Sequence, residues 1–173
     1  MALVANGKPT IVGVADLAVG KAPGQIVTYA LGSCIGVSVW DPVTKVGGML
    51  HYMLPQPGDE TEPGFNPAQY GTTGVPLLFK RLAEAGGAKA RVVVCAAGGA
   101  EILANAQAFA IGKRNHTTLR KIFWRDNIVV AAEEVGGNVP RTMTLDLAVG
   151  EVRVRGGDKE RVLWQAGKQG GKA

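Results

Sequence analysis

Apolar residues along this chain come in short alternating or continuous stretches cut by Gly, Pro and Asp. Thr10 to Val19 alternates weakly and predicts a first strand, broken by Pro23-Gly24. Gln25 to Leu31 (QIVTYAL) predicts a second, rich in the β-branched and aromatic residues that suit a pleated surface. After a Gly32-Ser33 turn, Cys34 opens a third strand running through Ile35, Val37 and Val39 to Trp40, and Asp41-Pro42 turns the chain. Val46 to Met53 (VGGMLHYM) predicts a fourth, ended by Pro55. The segment Gln56 to Ala68, with three prolines and several acids, reads as an exposed loop.

The period then changes. Val75, Leu78, Phe79 and Leu82 fall at i, i+3, i+4 and i+7, one face of a helix stopped by Gly86-Gly87. Arg91 to Ala97 predicts a buried strand. Leu119, Ile122 and Phe123 mark a second helix starting near Asn115 or His116. Ile128 to Val135, Arg141 to Leu147 and Glu151 to Arg155 predict further strands, and the tail after Ala166 reads as flexible. The sum is about seven strands and two or three helices. Strands that neighbour one another at both ends of the chain favour antiparallel pairing. The expected fold is a layered α/β single domain over residues 10–165, without doubly wound order, between a loose 1–9 and a loose 166–173.

Composition narrows the class. The chain has 173 residues, 46% of them apolar, enough for one domain with a sizeable core. No apolar run approaches the roughly 18 residues of a membrane span. The N-terminal stretch lacks the charged and apolar blocks of a secretory signal, and the two cysteines do not form a disulfide framework, so a cytoplasmic protein without membrane insertion is expected. The net charge is +5, with five basic residues and no acid between Lys113 and Arg125 and a second basic group at Lys159, Arg161, Lys168 and Lys172. These read as a solvated helix face and tail, or as a surface that attracts an acidic protein. Aromatics are not interleaved with the charges, which speaks against nucleic acid.

Candidate chemistry centres on Cys34. A thiol at the edge of an element, beside the backbone N–H groups of Gly32 and Ser33, can attack a carbonyl carbon while the turn amides receive the oxyanion. The plainer reading is a structural cysteine at a strand start. A thiol needs a base to become a nucleophile near neutral pH. His51 lies in an apolar strand consecutive with that of Cys34, so a hairpin brings the two together; a satisfied core histidine is the alternative. His116, in a polar basic stretch, reads as surface. Thr28 precedes Cys34 on the previous strand and can orient an imidazole, or simply contributes β-propensity; Asp41 is the one carboxylate near these strands. No CxxC or HxxxH spacing, Walker loop or dinucleotide fingerprint occurs, so no metal or cofactor is expected.

The stretch Thr28 to Pro55 (TYALGSCIGVSVWDPVTKVGGMLHYMLP), with GGAEIL (Gly98 to Leu103), IGKRN (Ile111 to Asn115) and VGGNVPR (Val135 to Arg141), resembles the CheD family of bacterial chemotaxis. The resemblance covers about residues 10–156. It implies a chemoreceptor glutamine deamidase with Cys34 as nucleophile, His51 as general base and Thr28 as the hydroxyl partner of the histidine. It also implies a layered fold similar to toxin-type cysteine deamidases and attack on a glutamine side chain through a thioester. The implied partners are the cytoplasmic domains of methyl-accepting chemotaxis receptors and a CheC-type phosphatase. The segment Cys95-Ala96-Ala97 departs from the family pattern, which commonly has a basic and a bulky apolar residue before Gly98-Gly99. Two other readings compete: a related thiol enzyme (transglutaminase or cysteine protease), and a non-catalytic adaptor for the CheC-type phosphatase.

Overall fold

Two strands in the first third of the chain decide the architecture. Strands β4 (Ile35–Trp40) and β5 (Val46–Tyr52) are buried at every residue. A strand apolar on both faces has to lie between two covering layers. The computed structural model, which describes residues 7–58, 60, 62–102 and 110–168, builds those layers as one sheet and a pair of helices.

Among the described residues, ten strands form two five-stranded sheets. The central sheet has the order β2 (Asp16–Lys21), β5, β4, β6 (Val93–Gly98), β7 (Val130–Val135). The outer sheet has the order β1 (Thr10–Val12), β3 (Gln25–Leu31), β8 (Arg141–Asp146), β9 (Glu151–Gly156), β10 (Lys159–Gln165). Pairing is antiparallel except for β1 with β3 and β6 with β7. Helices α1 (Gly71–Glu84) and α2 (Ile111–Arg125) cover the free face of the central sheet. Val75, Leu78 and Leu82 of α1 and Leu119, Ile122 and Phe123 of α2 pack there against Ile35, Val37, Val39 and Leu50. The opposite face sends Trp40, Met49, Cys95 and Ala97 against Ile26, Leu31, Met143 and Leu145 of the outer sheet. This is the expected layered α/β domain of mainly antiparallel strands, with the order helices, sheet, sheet.

Several boundaries differ from the sequence expectation for physical reasons. The first predicted strand is two. Val12 ends a strand of the outer sheet, Ala15 takes a positive φ of 56°, and Asp16 begins a strand of the central sheet. The alternation is weak because the chain changes sheets in its middle. Helix α2 starts at Ile111, ahead of Asn115 and His116. Strand β10 was not expected: its first four residues are exposed, so KERVLWQ shows no clear apolar face. The α1 stop is as read, with Gly86 at φ 97°. Residues 1–6 and 169–173 of the expected loose termini, Asp59 and Thr61 of the loop, and Leu103 of the GGAEIL segment lie outside the described residues.

The β4–β5 turn is tied down by a buried carboxylate. Asp41 accepts from the N–H groups of Val43 (2.9 Å) and Ala88 (2.9 Å) and from Arg91 Nε and Nη2 at 3.1 and 2.6 Å. The Arg91 guanidinium holds it well below the usual carboxylate range. Asp41 therefore fastens the hairpin to the segment leading into β6 and is not available to His51.

Candidate active site

Alternation along β5 sends Leu50 and Tyr52 toward the helices and Met49 toward the outer sheet, and His51 shares the face of Met49. The residue facing it from the outer sheet is Thr28. Thr28 Oγ1 lies 2.8 Å from His51 Nδ1 and donates its single proton to Val12 O at 2.7 Å. A hydroxyl has one proton. With that proton on Val12 O, Thr28 accepts from His51, so Nδ1 carries the imidazole proton and Nε2 carries the lone pair. His51 is fully buried, and its Nε2 has no hydrogen-bond partner among the described residues. Burial lowers its pKa to about 4, so the ring is a neutral base at neutral pH.

A bulge in β3 makes this meeting possible. The pairing of β3 with β8 slips between Thr28 and Leu31, and Ala30 takes a φ of 56°. The extra residue lets both Thr28 and Leu31 face the interior, while Tyr29 turns outward and is exposed.

Cys34 stands immediately before β4. The register places Gly36 opposite His51, and Cys34, two residues earlier, lies on the same face and diagonal to the histidine. Its half-buried side chain packs against the core between the sheets, the one His51 faces. Burial raises the thiol's pKa, opposed by a hydrogen bond from its own N–H. No hydrogen bond joins the thiol to His51 Nε2. The resting pair is thus a neutral thiol beside a neutral imidazole, and catalytic contacts of this kind commonly close when substrate binds.

The turn holding Cys34 has its three carbonyls pinned. Gly32 O accepts from Ala100 N at 2.8 Å, Ser33 O from Asn115 Nδ2 at 2.9 Å, and Cys34 O from Gly99 N at 2.8 Å. The Gly32 N–H is taken up by Ala30 O at 2.9 Å. The Ser33 N–H has no acceptor among the described residues and the Cys34 N–H only its own thiol, which leaves those two, rather than Gly32, to receive a ligand. Behind the turn, Gly98 has φ 112°, and a Cβ there would fall 2.2 Å from Cys34 O. Only glycine lets β6 end against the cysteine in this way. Arg141 supports the same corner, reaching Glu134 at 3.0 Å and Gly136 O at 2.8 Å, while Gly136 N donates to Gly98 O.

The structure therefore brings Thr28, His51, Cys34 and Ser33 together. His116 is elsewhere employed, with Nε2 3.1 Å from Glu133. Cys95 is fully buried in β6, its thiol pushed up to about 12 by burial. Two cavities, one beside Lys89 and Ile128 and one between β1–β2 and α1, do not include Cys34 or His51. Asn115 is a residue beside the site that sequence reasoning did not single out; its signals were its place at the end of IGKRN and a polar residue on the apolar face of the helix.

A family model described as CheD chemotactic sensory transduction matches residues 53–156, a segment that holds Asn115 and Arg141 and begins after Thr28, Cys34 and His51. Longer matches come from curated relatives bearing the name "Probable chemoreceptor glutamine deamidase CheD". The one from Solibacter usitatus is 44% identical over 155 residues, 88% of this chain and 92% of the relative. That from Pyrococcus abyssi is 43% identical over 146 residues, 83% of this chain and 89% of the relative. A relative in Anaeromyxobacter dehalogenans, named as the second such protein there, is 45% identical over 150 residues, 86% and 94%.

Proposed function

The chain belongs to the CheD family, and from that premise we propose that it deamidates glutamine side chains of chemoreceptors, with Cys34 as nucleophile, His51 as general base and Thr28 orienting the histidine. The observation that carries the assignment is the hydroxyl relay from Val12 O through Thr28 to His51 Nδ1, which leaves Nε2 with the lone pair and no partner among the described residues.

In this mechanism the Cys34 proton passes to His51 Nε2 as the sulfur bonds to the carboxamide carbon. The carbonyl oxygen becomes an oxyanion, received by the Cys34 and Ser33 N–H groups. The C–N bond then breaks, the nitrogen takes the proton from Nε2, and ammonia leaves a thioester on Cys34. Water attacks the thioester carbon, giving its proton to Nε2, and the thiolate departs and is reprotonated. Glutamine and water have become glutamate and ammonia. Water as acceptor separates this reaction from transglutamination, and cleavage of a side-chain rather than a main-chain amide separates it from proteolysis.

The reaction is tested by incubating the chain with the cytoplasmic part of a chemoreceptor. Ammonia release should match the glutamate formed, and added hydroxylamine should divert part of the thioester to a hydroxamate. Receptor that keeps every glutamine, with no ammonia and no hydroxamate, would contradict the proposal. Action on that part of the receptor is what supports a cytoplasmic location. Among the described residues, no helix is long and apolar enough to cross a membrane. A CheC-type phosphatase as a regulating partner is supported by the family resemblance, and co-elution of the two purified proteins tests it: separate elution would remove that partner.

A further inference from the structure

Asn115 sits on α2 where the helix meets both strands that supply the site. Its side chain is fully buried. Its Nδ2 donates to Ser33 O at 2.9 Å and to Met53 O at 2.8 Å, and its own backbone carbonyl accepts from Tyr52 Oη at 2.7 Å. One nitrogen thus links the residue before the nucleophile to the residue two positions after His51.

The first of these bonds acts through the geometry of the peptide group. A trans peptide holds its C=O and N–H antiparallel in one plane. A donor fixed on Ser33 O therefore turns the N–H of the same peptide, that of Cys34, away from α2. Ala100 N–H on Gly32 O does the same for the Ser33 N–H. The Ser33 N–H has no acceptor among the described residues, and the Cys34 N–H has only its own sulfur, a weak one. A donor on the carbonyl also polarises the N–H across the peptide and makes it a better hydrogen-bond donor. Meanwhile Asn115 Oδ1 is buried with no partner among the described residues. A buried acceptor left unpaired costs about 1–3 kcal/mol. The residue is placed for its two donated bonds, at the expense of its own acceptor.

We propose that Asn115 is a positioning residue for the deamidation. Its carboxamide sets the Ser33–Cys34 peptide so that the Cys34 N–H receives the oxyanion, and through Met53 O it holds that turn in register with the strand of His51. The inference rests on the deamidase reading and adds to it the group that organises the oxyanion site.

The test compares two reactions of the same thiol. Deamidation passes through an oxyanion, whereas alkylation of Cys34 by iodoacetamide is displacement at a saturated carbon and develops none. Asn115→Ala should lower kcat for receptor deamidation by about 10-fold to 100-fold, the scale of a weakened oxyanion donor. KM and the iodoacetamide rate at Cys34 should stay unchanged. Unchanged kcat would overturn the inference, and so would alkylation falling in parallel with kcat, because the residue would then be holding the thiol rather than the amide. Asn115→Asp keeps the side-chain shape and carries the same expectation if Asn115→Ala does not fold. Loss of folding in both would also overturn it, placing Asn115 in the fold rather than the site. Wild-type chain that alkylates at Cys34 yet releases no ammonia would sink the deamidase reading itself, a distinguishable result.

Discussion

His51 is the residue on which the chemistry turns, and its burial sets the pH behaviour. A base must be unprotonated to accept the thiol proton, and here it stays so down to about pH 4. The acid limb of kcat/KM should therefore lie near 4, well below the unperturbed histidine value of about 6.5. An NMR titration of the ring reads the same pKa directly, and a midpoint near 6.5 would contradict the buried neutral base. The linkage to stability has a definite sign. The folded-state pKa is below the unfolded one, so the contribution is fully present above about 6.5. It is lost as pH falls toward 4, by roughly 3 kcal/mol in all. Replacing His51 by Gln should flatten that part of the stability profile. His51→Ala should cost about 10²–10⁴-fold in kcat. Thr28→Ala should cost less, on the order of 10-fold to 100-fold, about the 1.5–3 kcal/mol of one hydrogen bond to a charged group. A Thr28 variant as damaged as the His51 variant would give Thr28 a direct part in the reaction. Sequence alone showed Cys34 and His51 as candidates because a thiol at a turn and a histidine in an apolar strand are out of pattern. Thr28 was not separable from β-propensity, since its contact with His51 is made between sheets and leaves no spacing in the chain.

At the scale of elements, the hairpin β4–β5 and the bulge in β3 do the positioning. The hairpin was legible: QIVTYAL, the run from Cys34 to Trp40, and VGGMLHYM are continuous β patterns separated by Gly-Ser and Asp-Pro. The bulge was not, because one added residue in a strand changes which side chains face inward without altering composition. Strand β10 was hidden by its charged, exposed start, and the entry to α2 by the polar residues Lys113 to His116. The Asp41 anchor belongs to this scale as well. Asp41→Ala removes the acceptor for the Val43 and Ala88 N–H groups and for Arg91, whose exposed guanidinium water can take up, so it should destabilise the fold by about 1–3 kcal/mol, the cost of leaving buried donors unpaired. Activity per folded molecule should stay near wild type, because the anchor lies at the far end of the hairpin from His51. Chemical denaturation with an activity assay checks both, and a stable but inactive variant would mean that the hairpin end communicates with the site.

Across the whole molecule, a three-layer core carries a site at the end of the inner strands β4 and β5 of the central sheet, with a basic helix beside it. Of the cations on α2, Arg120 and Arg125 are paired with Glu133 and Asp126, whereas Lys113, Arg114 and Lys121 have no ion pair among the described residues. If that face attracts an acidic receptor surface, reversing those three charges should raise the KM for receptor and weaken its salt dependence, since exposed charges are screened within about 8 Å at physiological ionic strength. An unchanged salt dependence would return α2 to a solvated face. The central claim, that Cys34 and no other thiol performs a deamidation, has a direct measurement: the mass of a chemoreceptor cytoplasmic fragment after incubation with wild-type, Cys34→Ala and Cys95→Ala chains, each shown to be folded. Wild type and Cys95→Ala should produce the mass gain of carboxamide converted to carboxyl, and Cys34→Ala should produce none. The same gain from a folded Cys34→Ala chain would contradict the account.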